Sequence, residues 1–329
     1  MRHAPLVVAY ILVASAPAYA QAVASPSAPA SADATTAFIS DTRFRGGVDL
    51  VPLEVCVRNR EGRPIAGLKP ADFLVLENNV PQQIVLFSAE GRVPLAVTIL
   101  LDSSHSMAGA RFERAKAAAA ELIGILRPGD LVEVISFNQR ANLRYVLGAD
   151  HEEAKLSLNG ISPTGMTGLY EATLVAVRRL DRARQTQAVE YRQVLIVLSD
   201  GEDTSSVLPF ESVLEDVRRS NVLLYAISLL TEERDRTVTP RSQMARLARD
   251  TGGRAITVRD LGGLSRIYQE IAVELVHLYR LAYVPSPAVR DGSWRTVSVR
   301  TSTKDAMVQT RSGYYAPRAP RSLHQKRDR

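Results

Sequence analysis

In Asp102-Ser103-Ser104-His105-Ser106, three oxygen-bearing side chains stand at every second position. On an extended backbone, alternate side chains point the same way, so Asp102, Ser104 and Ser106 can converge on one point. One carboxylate and two hydroxyls are hard oxygen donors, the chemistry that holds a small divalent cation. The same residues also suit a polar turn that caps a helix starting near Arg111. The pentapeptide alone does not choose between these readings. Two more stretches bear on it: Ser199-Asp200-Gly201 supplies a second carboxylate, and Thr167 follows the loop Ser162-Pro163-Thr164-Gly165-Met166 and opens a helix. Thr167 is also a reasonable N-cap for that helix.

The elements that must position these residues are legible on either side. Leu95 to Leu101 is apolar except for Thr98, the pattern of a strand buried on both faces of a parallel sheet. Val194 to Leu198 repeats it, again with a carboxylate just beyond its carboxyl end. Between Pro94 and His277, strand and helix alternate. Helices are expected over 111–126, 151–159, 168–180, 241–250 and 264–277, and strands over 131–137, 143–147, 222–230 and 255–258. That order predicts a doubly wound, mostly parallel α/β sheet, with any ligand site at the carboxyl ends of its strands.

The flanks read as β structure. Leu53, Val55 and Val57 alternate with Glu54, Cys56 and Arg58, as in a half-buried strand with one face to solvent, and short strands are expected over 73–76 and 84–87. After the α/β segment the pattern returns in Tyr279, Leu281 and Tyr283, then over 294–300 and 306–310. Neither flank is long enough to hold a core by itself. Joined, residues 44–92 and 278–316 have the size of one immunoglobulin-like β-sandwich, with the α/β domain of residues 93–277 inserted in it. Trp294 is expected in the core of that sandwich.

Residues 1–20 read as a secretory signal peptide: Arg2, an apolar core from Leu6 to Ala16, and Ala18-Tyr19-Ala20 as cleavage site. Residues 21–43, rich in Ala, Ser, Pro and Thr, read as a flexible leader. No later stretch has the length of a membrane span, so an exported protein, periplasmic or secreted, is expected. Cys56 is the only cysteine and falls in an apolar strand, where a buried thiol is expected rather than a disulfide or a reactive group. The net charge of +6 comes mainly from the basic tail of residues 317–329, so the folded body is close to neutral and nothing in it reads nucleic acid.

Taken in order and placement, Asp102-Ser103-Ser104-His105-Ser106, Thr167 in Thr-Gly-Leu-Tyr-Glu-Ala, and Ser199-Asp200-Gly201 resemble the metal-ion-dependent adhesion site of a von Willebrand factor A (VWA) domain. The flanking GRPIAGLKPADFLVLENNVPQQIVLFSAE and Arg311-Ser312-Gly313-Tyr314-Tyr315 resemble bacterial exported proteins of the VWFA-related type. The resemblance implies a Rossmann-like fold. It further implies that Ser104 and Ser106 coordinate the ion directly, and that Thr167 does so directly or through water. Asp102 and Asp200 supply the negative charge. Glu202 and Asp203 are candidates for an outer contact, though acidic residues there also suit the amino end of a helix. The implied ion is Mg²⁺, with Mn²⁺ or Ca²⁺ as alternatives. The implied function is non-enzymatic, cation-dependent protein binding, with an Asp or Glu carboxylate of the partner completing the metal sphere. Two other readings remain beside it: a Mg²⁺-dependent hydrolase, for which only His105 offers a general base, and a structural module in which a metal only stabilises the loops.

Overall fold

The computed structural model describes residues 49–89, 93–187, 189–200, 203–229, 239–258 and 261–319. The expected signal peptide and leader, the start of the first β segment, Glu202 and most of the basic tail lie outside these residues. The first flank contributes β1 (Val51–Arg58), β2 (Phe73–Glu77), β3 (Val80–Gln82) and β4 (Ile84–Ser88). The α/β segment follows as β5 (Leu95–Asp102), α1 (Ala110–Ile125), β6 (Leu131–Phe137), β7 (Ala141–Gly148), α2 (His151–Leu156), α3 (Leu169–Thr186), β8 (Arg192–Ser199), α4 (Phe210–Arg219), β9 (Leu223–Leu229), α5 (Thr239–Thr251), β10 (Ala255–Val258) and α6 (Leu264–Val276). The second flank adds β11 (Tyr279–Tyr283), β12 (Trp294–Thr301), β13 (Met307–Gln309) and β14 (Gly313–Tyr315).

Six strands form the central sheet in the order β10-β9-β8-β5-β6-β7. All neighbours are parallel except β7, which runs antiparallel to β6 at the edge. Every residue of β5 and β8 is buried because helices cover both faces. Val97, Ile99 and Leu101 pack with α1 and α6, whereas Ala96 and Leu100 pack with α3, α4 and α5. Each such aliphatic side chain contributes roughly 1.5–3 kcal/mol on burial. Paired apolar runs therefore take the centre and the polar-faced β7 takes the edge. This is the doubly wound α/β architecture expected from the sequence. Among the described residues, no helix is long and apolar enough to cross a membrane.

The two flanks pair with each other. One four-stranded sheet has the order β13-β1-β11-β4 and another β14-β12-β2-β3, so each combines strands from both sides of the α/β segment. β1 meets β11 antiparallel from Val51↔Tyr283 to Val55↔Tyr279, and β2 meets β12 from Phe73↔Thr301 to Glu77↔Val297. Leu53, Val55, Phe73, Val75, Tyr279, Leu281 and Val299 share one apolar core.

Three expectations change. The polar face of β1 is not solvated: it abuts the α/β segment, so the strand is buried on both sides. Arg58 Nη1 lies 3.2 Å from buried Glu274 of α6, Glu54 pairs with Arg192 at the start of β8, and Cys56 is fully buried in the α/β core. Burial pushes the Cys56 thiol up to about 12. Glu274 also accepts from Tyr225 Oη at 2.9 Å and lies 3.5 Å from Arg254 Nε, making one ionic knot across the junction. Trp294 is a junction residue rather than sandwich core: its ring stacks edge-on with Tyr315 and lies under the Arg218 guanidinium of α4, at 4.4 Å. Between Asp200 and Val222, where the sequence gives no bounds for a helix, α4 stands with Phe210, Val213, Leu214 and Val217 buried.

Candidate metal centre

β5 and β8 lie side by side, and the chain leaves them in opposite directions, through α1 to β6 and through α4 to β9. A parallel sheet offers a crevice above the carboxyl ends of two such strands. Asp102 is the last residue of β5, and Asp200 directly follows β8. Both are buried.

Asp102 is fixed from two sides. Its Oδ1 accepts from Ser104 N at 2.8 Å and its Oδ2 from Ser199 Oγ at 2.6 Å. Ser103 points elsewhere and donates to the Phe137 carbonyl at 2.9 Å. The extended geometry expected to align residues 102, 104 and 106 does not run that far. Ser104 is still extended, at φ −74 and ψ 164, but His105–Met107 forms one turn of 3-10 helix. The turn brings Ser106 Oγ to 3.1 Å from Ser104 Oγ, leaves His105 exposed and anchors Met107 in the core. The two hydroxyls thus meet, by a turn rather than by strand alternation.

The loop before α3 is tied to this turn by its backbone. Thr164 N donates to Ser103 O at 2.8 Å, and His105 N donates to Gly165 O at 2.9 Å. Gly165 has φ +77, a conformation that disfavours any side chain. Thr167 is buried, and its main chain is held by Thr204: Thr167 N donates to Thr204 Oγ1 at 2.9 Å, while Thr204 N donates back to Thr167 O at 2.9 Å. The helix cap comes from elsewhere. Asp203 accepts from Leu169 N at 2.8 Å and from Ser206 Oγ at 2.6 Å, so it caps α3 across the loop. Asp203 thus serves the amino end of α3, which precedes it in the chain, and not that of α4, which follows it. Glu202 lies outside the described residues.

One residue escapes the sequence reading. Arg111, in the first turn of α1, donates to the Ser106 carbonyl at 3.0 Å and lies 3.6 Å from Asp200 Oδ2. A cation in the first turn of a helix opposes the helix dipole. That mismatch is the signal by which it could have been found.

The electrostatics favour a cation. Burial pushes the Asp102 carboxyl up to about 6, the nearby Asp200 charge adds to this, and the hydrogen bonds from Ser199 and Ser104 oppose it. Two buried carboxylates beside two facing hydroxyls match the needs of a small hard ion in both charge and donor type. Among the described residues, no group of three or more His, Cys, Asp or Glu could hold a metal. Hydroxyls must therefore complete any ligand set built here.

A family model, the von Willebrand factor type A domain, matches residues 96–270. Inter-alpha-trypsin inhibitor heavy chain H4 of Sus scrofa is 28% identical over 208 residues, which is 60% of this chain and 22% of that protein. Heavy chain H1 of Bos taurus is 29% identical over 129 residues, 37% of this chain and 14% of that protein. The chain thus spans less than a quarter of the length of these relatives. Among solved structures, a von Willebrand factor type A protein from Catenulispora acidiphila superposes with a TM-score of 0.50 at 14% identity, covering 83% of this chain and 76% of that one. That likeness is one of fold.

Proposed function

The chain belongs to the von Willebrand factor type A domain family, and on that premise we propose that it is a non-enzymatic, divalent-cation-dependent protein-binding module that works outside the cytoplasm. Domains of this family are protein-interaction modules, often metal-dependent. The observation that carries the reading is the meeting of Ser104 Oγ and Ser106 Oγ, 3.1 Å apart, beside the buried carboxylates Asp102 and Asp200.

In this reading Asp102, Ser104, Ser106, Thr167 and Asp200 hold Mg²⁺, with Mn²⁺ or Ca²⁺ able to replace it. When bound, the ion supplies a positive centre that attracts an Asp or Glu carboxylate of a protein partner. Asp102 and Asp200 would neutralise it and the hydroxyls would add neutral oxygen ligands, while Ser199 Oγ fixes the Asp102 carboxylate through the 2.6 Å hydrogen bond. Arg111 lies 3.6 Å from Asp200 and donates to the Ser106 carbonyl, a positive charge that a bound cation would have to overcome. A hydrolase needs a general base within reach of a bound water. Asp203 is committed to the end of α3, and His105 is turned to solvent. Those two positions favour binding over catalysis.

The paired flanks, residues 44–92 and 278–316, are read as one small immunoglobulin-like β-sandwich carrying the α/β domain of residues 93–277. Reading residues 1–20 as a signal peptide and 21–43 as a leader suits a periplasmic or secreted protein.

The test is a pull-down from the envelope fraction of the source organism, using the wild type and Asp200→Ala, each with Mg²⁺ and with chelator. A partner retained only by the wild type with Mg²⁺ supports the reading. Equal retention in all four conditions refutes it and assigns binding to the flanks or the tail. Turnover of phosphate or carboxylate esters that requires Mg²⁺ and is lost in Asp200→Ala would favour the hydrolase instead.

A further inference from the structure

Strand edges from the α/β segment and from the flanks meet at one groove. β10 ends the central sheet, β13 ends one flanking sheet, and β14 covers β12 only from Trp294↔Tyr315 to Thr296↔Gly313. Between them lies an open groove of about 440 Å³, lined by residues 253–255, 297–299 and 308–310 and by Ala245 and Arg249 of α5. Consecutive residues of a strand point to opposite faces, so a groove that touches several in a row runs along the strand's edge, where the backbone is offered.

The backbone there has groups to spare. Val297 N donates to Ser312 O at 2.9 Å, and Val299, two residues on, turns its own N–H and C=O the same way, past the end of β14. Across the groove, Arg254 O accepts from Ala226 N of β9 at 2.9 Å, so the N–H and C=O of Ala255 face away from β9. Among the described residues, no strand pairs with β12 on that side beyond Thr296, nor with β10 on the side away from β9. An unpaired strand edge is a template for another extended chain.

The side chains narrow the choice of chain. Val297 and Val299 of the sandwich core line the groove, with Val308 packed against that core. Arg249 stands beside them with 71% of its side chain exposed. Its carboxylate neighbour, Asp250 at 3.9 Å, is already bonded to Arg218 at 2.7 Å, and no acid is among the residues that line the groove.

We propose that this groove binds an extended acidic peptide segment of a protein partner by strand addition. The segment's backbone pairs with the free edge of β12 and faces that of β10. Its alternate apolar side chains pack on the valines, and an Asp or Glu reaches Arg249. The groove lies at the amino end of β10, whereas the metal centre stands at the carboxyl ends of β5 and β8, so this contact needs no metal.

The test is fluorescence anisotropy of the amidated peptide Val-Thr-Val-Glu-Val, labelled with a neutral dye, on the full chain in chelator and again in Mg²⁺. Two control peptides carry Lys in place of Glu, or Pro in place of the central Val, which removes an amide and bars extended pairing. The expected result is saturable binding with Kd below about 1 mM, equal in both conditions and about tenfold weaker for the Lys and Pro peptides. Arg249→Glu should reverse the order of the Glu and Lys peptides. Arg249→Gln, if the first variant does not fold, should level them. Amide exchange at Val299 should slow when the peptide is bound. No saturable binding up to about 1 mM overturns the proposal. So does an order of Glu and Lys peptides that neither Arg249 variant alters, or a Pro peptide that binds as well as the parent. Binding lost in chelator assigns the peptide to the metal centre instead. A chain that sediments as a dimer with Val299 already protected gives the groove to a second copy, and that too overturns the proposal.

Discussion

Asp102→Asn should make the metal-free protein more stable at neutral pH while abolishing its response to Mg²⁺. Burial raises the Asp102 carboxyl from an ordinary 3.8 to about 6. Two such units correspond to roughly 3 kcal/mol of folded-state stability lost when the group ionises. The sign follows from which state holds the proton more tightly. Between pH about 4 and 6 the unfolded chain gives up this proton first, so stability falls as pH rises through that window. Above it the full cost is present, and below it there is none. Asparagine keeps the shape, can still accept from Ser104 N, and can donate to Ser199 Oγ once that hydroxyl turns. Urea unfolding followed by circular dichroism in chelator should give the variant an advantage of up to about 3 kcal/mol at pH 7.5. The advantage should shrink as pH falls and close near pH 4. Added Mg²⁺ should reverse the order, because only the wild type gains binding energy, about 2.7 kcal/mol at a hundredfold excess over Kd. A variant no more stable than wild type at pH 7.5, or an advantage that stays constant down to pH 4, would refute the electrostatic argument.

Other substitutions probe the site and its supports. Arg111→Gln removes a cation 3.6 Å from Asp200, so Mg²⁺ should bind about tenfold more tightly by calorimetry; equal or weaker binding would mean that Arg111 acts mainly by holding the loop. Glu274→Gln leaves Arg58 and Arg254 facing an uncharged amide in a buried knot and should cost about 3–5 kcal/mol in chemical unfolding. A loss below about 1 kcal/mol would show that solvent screens the knot. Gly253→Ala would drive a methyl into the Leu224 backbone, its carbonyl oxygen first, and no flexible side chain is there to give way. The variant should fail to accumulate as soluble protein or lose more than about 3 kcal/mol, and a near-native denaturation midpoint would contradict the close approach of α5's end to β9.

What the sequence reveals here depends on whether a residue's partners are local. The runs in β5 and β8 are legible because burial on both faces leaves no polar position, and the carboxylates just beyond them fall at the strand ends by construction. The positions of Ser104 and Ser106 are legible too, although the turn that joins them is not, since Ser-His-Ser fits extended and 3-10 backbones equally well. The polar side of β1 misleads because alternation tells only that one face is polar. The partners of Glu54 and Arg58 are Arg192 and Glu274, far along the chain. Net charge misleads in a similar way: a body close to neutral overall still gathers four arginines in one cleft. α4 differs from these cases, for Phe210, Val213, Leu214 and Val217 follow helical spacing and are local evidence.

The mixed origin of the flanking sheets sets an order in time. The Tyr283 hydroxyl reaches Glu77 across 206 positions of chain. Closing an unstructured loop of that length costs about 5 kcal/mol, but only about 2 kcal/mol once an intervening folded body reduces it to some ten free residues. The α/β segment should therefore form first and bring the two ends of the chain together. The protein carries a reporter for this. Trp294, its only tryptophan, sits in β12, whereas α1 to α6 all lie within the α/β segment. During refolding, helical ellipticity should recover before tryptophan emission settles, and simultaneous recovery would mean that both regions condense together.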